Sequence, residues 1–169
     1  MPSSTRVLLT RRSIPRLVRL SLYAVTLLAG AAHSAAAQVP AEYTGDWVPV
    51  AATCTSPARV RVETARITLV NGAHSQSFAR IEMAGPAFFG PEYKGVMAQA
   101  ITELDGDQPV QVTFNVGEKR GAAQAELSSP VAGNVNAFGK ALNARLAMLN
   151  LVKRFPLHQV PLKKCPAGR

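Results

Sequence analysis

Apolar and polar side chains alternate along much of the chain beyond residue 45, and this alternation predicts a succession of short β-strands. The clearest case is residues 108–116, where valine or phenylalanine occupies every second position. Weaker forms of the pattern predict strands or extended segments over residues 46–50, 59–63, 65–70, 77–83, 96–104, 122–127 and 157–164. Pro49 interrupts the first segment, which predicts an edge strand because proline cannot donate a ladder hydrogen bond.

Two dipeptides predict hairpin turns between these strands. Asn71-Gly72 and Asp105-Gly106 both suit the positive φ angles of a tight hairpin. Ahead of the first turn, residues 59–63 and 65–70 form either one long bent strand or two strands. After it, residues 77–83 are predicted to return as one strand.

Within that return strand, alternation assigns each side chain to one face of the sheet. It places Ala79, Ile81 and Met83 on the inner face. The same phase leaves Phe78 on the outer face, which is an unfavourable position for a large apolar side chain.

The period changes over residues 136–152, which predicts an amphipathic helix. Asn134 or Asn136 is a candidate N-cap, and Pro156 prevents the helix from continuing. The predicted apolar face consists of residues spaced three and four apart, namely Phe138, Leu142, Leu146, Leu149 and Val152.

Together these elements predict a mainly β fold. About seven or eight short antiparallel strands form a barrel or a sandwich, with one C-terminal amphipathic helix before the last strand. The helix is expected to cover one side or one open end of the sheet.

The first 37 residues have the three zones of an export signal. Five arginines precede an apolar run at residues 20–32, which is too short to span about 30 Å of hydrocarbon. Ala35 and Ala37 supply the small side chains that signal peptidase needs, which predicts cleavage before Gln38, with a cut after Ala36 as the alternative. Residues 38–169 then form a single mature domain in the periplasm or outside the cell.

Residues 1–37 also bear on the export route and on whether the mature protein spans a membrane. Arg11-Arg12 leaves both the general secretory route and the twin-arginine route open. After cleavage, no stable membrane span is expected.

Charge is unevenly distributed over the predicted mature chain. Residues 38–169 carry 14 basic and 10 acidic side chains, a net charge of +4, whereas the whole chain carries +9. Residues 127–169 hold seven basic and no acidic residues. This region either meets an anionic partner, such as a phospholipid, lipopolysaccharide or an acidic protein, or is a solvated basic face. Nucleic acid is not expected, because the basic residues lack interleaved aromatics.

Cys54 and Cys165 are the only two cysteines. In an oxidising compartment they are expected to form a disulfide. A thiol nucleophile or metal pair is the alternative, but no Cys-x-x-Cys accompanies them and residues 38–169 contain only two histidines.

Gly45-Asp46-Trp47, ahead of a series of alternating strands, resembles the Gly-x-Trp pattern of the lipocalin-like proteins. The resemblance implies an eight-stranded barrel in which Trp47 closes the base and Gly45 has a structural role. It also implies a carrier of small apolar ligands. The helix before the last strand is compatible with that family.

No catalytic residue, metal site or cofactor is predicted from the sequence. The carboxylates of Glu103, Asp105 and Asp107 lack calcium-loop spacing and fit a solvated turn. His74-Ser75 lies outside any nucleophile elbow, and neighbouring strand residues point to opposite faces. His158 is interpreted as a surface or packing residue.

The loop at residues 84–95 is the main candidate for binding. It holds two Gly-Pro pairs and the residues Phe88, Phe89, Tyr93 and Lys94. Aromatic side chains on a proline-stiffened loop lose little entropy when they dock on a partner. The alternative is that these aromatics are buried as a small satellite core.

Three functions follow from these observations. The first is an exported, non-catalytic binding protein of the cell envelope that docks a protein or a surface through this loop and the basic helix. The second is the apolar-ligand carrier that the lipocalin-like resemblance implies. The third is a small hydrolase of unrecognised type.

Overall fold

A computed structural model describes residues 38–133 and 136–166. The predicted export signal, its cleavage point after Ala37 and the candidate cap Asn134 lie outside these residues. Two helices, α1 (Ala137–Leu149) and α2 (Leu151–Arg154), precede the last strand. The described residues form nine strands, which are β1 (Gly45–Pro49), β2 (Ala58–Glu63), β3 (Arg66–Asn71), β4 (His74–Phe78), β5 (Arg80–Ala84), β6 (Ala98–Glu103), β7 (Val110–Phe114), β8 (Ala122–Leu127) and β9 (Pro161–Lys164).

The nine strands form one antiparallel, nearly closed barrel-like sheet. Their order is β4-β3-β2-β1-β9-β8-β7-β6-β5, and every neighbouring pair is antiparallel. The mainly β fold with a C-terminal helix before the last strand is therefore confirmed, and barrel-like closure decides between the two predicted architectures.

β4 and β5, the first and last strands in this order, are consecutive in the chain and are joined at a bend. Only Ala79 separates β4, which pairs with β3, from β5, which pairs with β6. The bend also corrects the predicted phase of the side chains. Phe78 is buried and Ala79 is exposed, because the break shifts alternation by one residue between Phe78 and the buried Ile81.

The first strand is central, and the prediction that it forms an edge is wrong. β1 lies between β2 and β9. The pairing with β2 ends at Trp47, so the missing N–H of Pro49 removes no bond from that ladder. On the other side, the Val50 N–H donates to the Pro161 carbonyl at 3.0 Å and continues the pairing.

The predicted turns are present. β2 and β3 are two separate strands joined by a turn at residues 64 and 65. Gly72 has a φ of 57°, and Asp105 and Gly106 have φ angles of 52° and 84°. In the first hairpin Asn71 pairs with His74, so the turn residues are Gly72 and Ala73. In the second, Asp105 and Gly106 both take the left-handed conformation that an Asp-Gly turn favours.

The predicted helix over residues 136–152 is broken. Asn136 caps α1, because its side chain accepts a hydrogen bond from the Gly139 N–H at 2.9 Å. Asn150 takes a left-handed conformation with a φ of 46° and separates α1 from α2. The predicted apolar face is only partly correct, since Leu146 is buried but Phe138 and Val152 are exposed.

The interior of the barrel is filled by apolar side chains. Trp47 and Tyr43 pack on Phe114, with ring centroids 5.3 Å and 4.5 Å away. The Trp47 Nε1–H donates to the Tyr43 carbonyl at 2.9 Å. Each large side chain buried in this way contributes roughly 1.5–3 kcal/mol relative to an exposed one. The core also includes Val60, Leu69, Val112, Phe155, Leu157 and Leu162, all completely buried.

The two cysteines meet on the outer side of β1. The Sγ atoms of Cys54 and Cys165 are bonded, and their Cα atoms lie 5.7 Å apart. The Cys165 N–H donates to the Asp46 carbonyl at 2.8 Å. Val48 alternates with the inward Trp47, yet it is completely buried. The disulfide therefore holds the residue 50–57 connection next to the strand that carries Val48.

The 84–95 loop and the helical segment lie at opposite ends of the barrel. β6 and β8 are parallel to each other because both are antiparallel to β7. The 84–95 loop enters β6 at its start, whereas the segment leading to α1 leaves β8 at its end.

Candidate functional site

The 84–95 loop presents one large apolar side chain to solvent. Pro86–Phe89 form a single 3₁₀ turn, which replaces the irregular structure predicted here. The Phe88 side chain is 59% exposed, and Lys94 is exposed. A phenylalanine with this exposure is available for contact with a partner.

The other two aromatic residues of the loop pack behind Phe88. The Phe89 ring lies 5.5 Å from Phe88, edge to face, and 5.4 Å from Tyr93. Phe89 and Tyr93 are both half-buried. The loop aromatics were interpreted either as exposed docking residues or as a small buried satellite core. Phe88 is exposed, as the first interpretation requires, whereas Phe89 and Tyr93 are half-buried against each other.

A carboxylate from the turn between β7 and β8 braces the base of the loop. The Tyr93 hydroxyl donates to Glu118 Oε1, and the Val96 N–H donates to Glu118 Oε2 at 2.9 Å. The Met97 N–H donates to the Tyr93 hydroxyl oxygen at 2.9 Å. The Tyr93 hydroxyl, the Glu118 carboxylate and the Val96 and Met97 amides are thereby linked. Three of these groups belong to the 84–95 loop or the residues just after it, whereas Glu118 comes from the connection between β7 and β8.

The turn that supplies Glu118 is built from left-handed residues. Asn115, Gly117 and Glu118 have φ angles of 56°, 62° and 63°. The Asn115 side chain donates to the Val96 carbonyl at 2.8 Å and accepts from the Gly121 N–H at 3.2 Å. Left-handed conformations at non-glycine residues cost energy and persist where surrounding contacts fix them. The hydrogen bonds from Asn115 to Val96 and from Val96 and Tyr93 to Glu118 are such contacts.

Gly95 leaves room for the same network. A Cβ atom at this position would overlap both oxygens of the Glu118 carboxylate and the Tyr93 hydroxyl. Neither Gly95 nor Glu118 was predicted as a site residue from the sequence. The only signal was the glycine that follows the aromatic residues, since nothing in the sequence pairs it with a charged turn 23 residues later.

The network shifts the pKa values of its two titratable groups. The hydrogen bond from Tyr93, followed by that from the Val96 N–H, lowers the pKa of Glu118. Partial desolvation, followed by the hydrogen bond to Glu118, raises the pKa of Tyr93. Both shifts keep Tyr93 protonated as the donor and Glu118 ionised as the acceptor.

The acidic residues at the β6–β7 turn are separated by their ion pairs. Arg80 pairs with Glu103 at 3.1 Å, and Arg145 on α1 pairs with Asp107 at 2.8 Å. Asp107 is only 8% exposed, so the prediction of a fully solvated acidic turn is wrong at this residue. Its carboxylate connects the hairpin to the helix. In the described part of the chain, no group of three or more His, Cys, Asp or Glu side chains is placed to hold a metal ion.

The two histidines of the described residues, His74 and His158, lie on separate elements. His74 is exposed at the start of β4. His158 borders a surface depression of about 590 Å³ that Glu126 also lines. Its Nδ1 accepts a hydrogen bond from the Leu127 N–H at 3.0 Å. No hydrogen bond joins His158 to a carboxylate within residues 38–133 and 136–166, so the orienting partner of a general base is missing there.

Most basic side chains of the C-terminal third are engaged within the fold. Lys163 and Lys164 donate to the carbonyls of Val50 and Glu42 at 2.9 Å and 2.6 Å. Arg154 lies 5.2 Å from the Phe155 ring centroid. With Arg145 paired to Asp107, the exposed cations of the helical segment reduce to Lys140 and Lys153.

Gly45 and Trp47 lie where strand β1 begins. Trp47 is buried and hydrogen-bonded, and a Cβ at Gly45 would contact the Lys164 side chain in a backbone conformation with a φ of 127°. A structural role for both residues is consistent with these contacts. The lipocalin-like resemblance itself stays a prediction.

Comparison with protein-family models, with curated proteins and with solved structures finds no match. In addition, none of the helices within the described ranges is long and apolar enough to cross a membrane. The function therefore has to be inferred from the geometry of the chain itself.

Proposed function

We propose that this chain is an exported, non-catalytic binding protein that docks a protein partner through the 84–95 loop. The observation that carries the proposal is the exposed Phe88 ring on a loop whose base is fixed. Phe88 is the anchor that enters an apolar pocket of the partner, and Lys94 adds a charged contact at its border.

Preorganisation supports this role. Pro86 and Pro91 restrict the backbone on both sides of Phe88, and the Glu118 network fixes the residues that follow. A loop that is already ordered loses little conformational entropy on binding, so more of the contact energy becomes affinity. Phe88 stays 59% exposed although its ring contacts that of Phe89.

The packed interior favours docking over an apolar-ligand carrier. The carrier that the lipocalin-like resemblance implies needs a cavity within the barrel. The inward side chains Val60, Leu69, Val112 and Phe114 are completely buried, so no water-sized space adjoins them. A ligand in this interior would have to displace core side chains.

Export is part of the proposal. Residues 1–37 act as the cleavable signal, and the mature protein reaches the periplasm or the medium. The Cys54–Cys165 disulfide supports this location, because such bonds persist in oxidising compartments.

Partner capture from a detergent extract of the native envelope tests the proposal. The wild-type protein is expected to recover a defined partner, and Phe88→Ser is expected to lose it. Phe138→Ser is the matched control, because Phe138 is similarly exposed, at 68% against 59%, but lies at the opposite end of the barrel. Equal recovery by wild-type protein and Phe88→Ser would overturn the proposal.

A further inference from the structure

A surface depression of about 590 Å³ lies between α1 and the outer face of the hairpin formed by β7 and β8. Leu142 and Leu146 of α1 line one side, and Gln111 of β7 and Glu126 of β8 line the other. Clefts that bind small ligands have volumes of roughly 300–1,000 Å³. The depression is therefore large enough for a small molecule or for a few residues of a peptide.

The side formed by α1 and the connection before it is apolar. Phe138 and Val131 are 68% and 64% exposed, and Leu142 is half-buried beside the same depression. The Asn143 side chain accepts from the Val131 N–H and donates to the Val131 carbonyl, both at 2.8 Å. These two bonds hold Val131 beside the helix, so the apolar side is in place before a ligand binds.

The opposite side carries hydrogen-bonding groups. Glu126 is exposed and points outward from β8, since its neighbours Ala125 and Leu127 are buried in the core. Gln111 lies opposite Glu126 on β7, and Ser129 borders the depression just beyond the end of β8. A ligand in this position meets a carboxylate, an amide and a hydroxyl group as well as the apolar side.

The charge around the depression is negative. Asp107 is paired with Arg145 at 2.8 Å, whereas Glu126 has no ion-pair partner among the described residues. Asp105 is a further exposed carboxylate on the neighbouring β6–β7 turn. The described residues that line the depression include no lysine or arginine. Lys140 is two positions along α1 from the lining residues on either side of it, which places it on another side of the helix.

Two other titratable groups leave this balance unchanged. His158 lines the depression, and its Nδ1 accepts a hydrogen bond from the Leu127 N–H at 3.0 Å, as only a neutral imidazole can. Arg80 borders a different depression and is paired with Glu103 at 3.1 Å. The carboxylate of Glu126 therefore remains as the uncompensated charge of the site.

We propose that this depression binds an arginine side chain presented by a peptide segment of a partner protein. The guanidinium pairs with the Glu126 carboxylate and stacks on the Phe138 ring, while the aliphatic part of the side chain lies on Val131 and Leu142. Arginine suits both contacts, because its planar group donates two parallel hydrogen bonds to a carboxylate and is attracted to the face of an aromatic ring. Gln111 is placed to bond a peptide group next to the arginine.

This site does not rest on the docking proposed for Phe88. The depression and the 84–95 loop lie at opposite ends of the barrel, so both can be occupied at once. The two proposals can also fail separately, because the variants that test one leave the other surface intact.

An NMR titration of the purified protein, in the form that the cell accumulates, tests the inference. The probe is the capped peptide Gly-Arg-Gly, and the matched control is the capped peptide Gly-Gln-Gly. The arginine peptide is expected to shift the amide signals of Gln111, Glu126 and Phe138 saturably, and this binding should weaken as salt increases. Equal shifts with both peptides, or no saturable shift, would overturn the inference.

Three variants assign the contacts. Glu126→Gln should lower the affinity for the arginine peptide about threefold to fivefold, because an exposed ion pair is lost. Phe138→Leu keeps an apolar side chain but removes the ring, and it should lower the affinity about twofold to fivefold. Glu82→Gln is the matched control, because Glu82 is an exposed strand carboxylate on β5 outside the depression, and it should bind as the wild-type protein does.

Two results would contradict the assignment of the site. Unchanged affinity in Glu126→Gln would show that its carboxylate does not hold the guanidinium. Saturable shifts of the same amides by a trimer of N-acetylglucosamine, with none by the arginine peptide, would assign the depression to a glycan instead.

Discussion

The Tyr93 hydroxyl donates a hydrogen bond to the Glu118 carboxylate, which lies on the turn between β7 and β8. This contact joins the loop that carries Phe88 to a strand connection distant in sequence. Both residues lie outside the strands, so we expect that the contact can be removed without changing the strand pairing.

Tyr93→Phe and Glu118→Gln are each expected to loosen the base of the loop. The Val96 and Met97 amides lose their acceptors or keep weaker ones, so their hydrogen exchange should accelerate severalfold. Amides in β2 and β3 provide the internal control and should exchange as in the wild-type protein. Unchanged protection of Val96 and Met97 would show that the network does not order the loop.

The loop brace should depend on pH through Glu118. Its pKa is lowered in the fold from an ordinary value of 4.5, so its stabilising contribution is complete above that value and is lost as pH falls through the lowered pKa. Exchange-corrected protection of the Val96 amide, followed by NMR from about pH 6 to about pH 3, should decrease over that lower range. In Glu118→Gln the same profile should be flat.

Gly95→Ala should disturb the same network through steric overlap. The added Cβ would overlap the ends of the Glu118 and Tyr93 side chains, so these must turn away and give up their hydrogen bonds, and we expect the midpoint of denaturant unfolding to fall slightly. Gly85→Ala is the matched control in the same loop, because its Cβ would meet nothing within 4 Å and its φ of −87° suits alanine. Denaturant unfolding of both variants distinguishes overlap from a general intolerance of alanine.

The disulfide should account for a large part of the stability. Cys54 and Cys165 are separated by 111 residues, for which the chain-entropy model gives about 4–5 kcal/mol. Mass spectrometry of the oxidised protein should show the loss of two hydrogens relative to the dithiol. Cys54→Ser with Cys165→Ser should unfold at lower denaturant concentration, and an unchanged midpoint would contradict the expectation.

Much of the fold was predictable from local pattern, because strand alternation and turn dipeptides act over a few residues. The strands around Asn71-Gly72 and Asp105-Gly106 illustrate this. The pattern was wrong where the chain bends. At Ala79 a single residue changes the strand's partner from β3 to β6, and the faces of Phe78 and Ala79 are exchanged.

The errors elsewhere have the same origin in contacts between distant residues. Pro49 indicated an edge strand, yet β9 pairs with β1 from far along the sequence. Phe138 matched the helical period, but Asn150 breaks the helix and Phe138 stays outside the core. Phe88 was identified as a candidate anchor from composition, whereas its support by Gly95 and Glu118 depends on a tertiary contact that no local spacing encodes.

The position of β9 between β8 and β1 has a consequence for the order of events in folding. The barrel-like sheet cannot close, and Cys54 cannot form its disulfide with Cys165, until residues 161–165 have been synthesised. Contacts of such long sequence separation form slowly compared with hairpins. Under the proposed export, a chain whose translocation starts during synthesis therefore has no closed barrel to unfold, and pairing of the last strand completes the barrel.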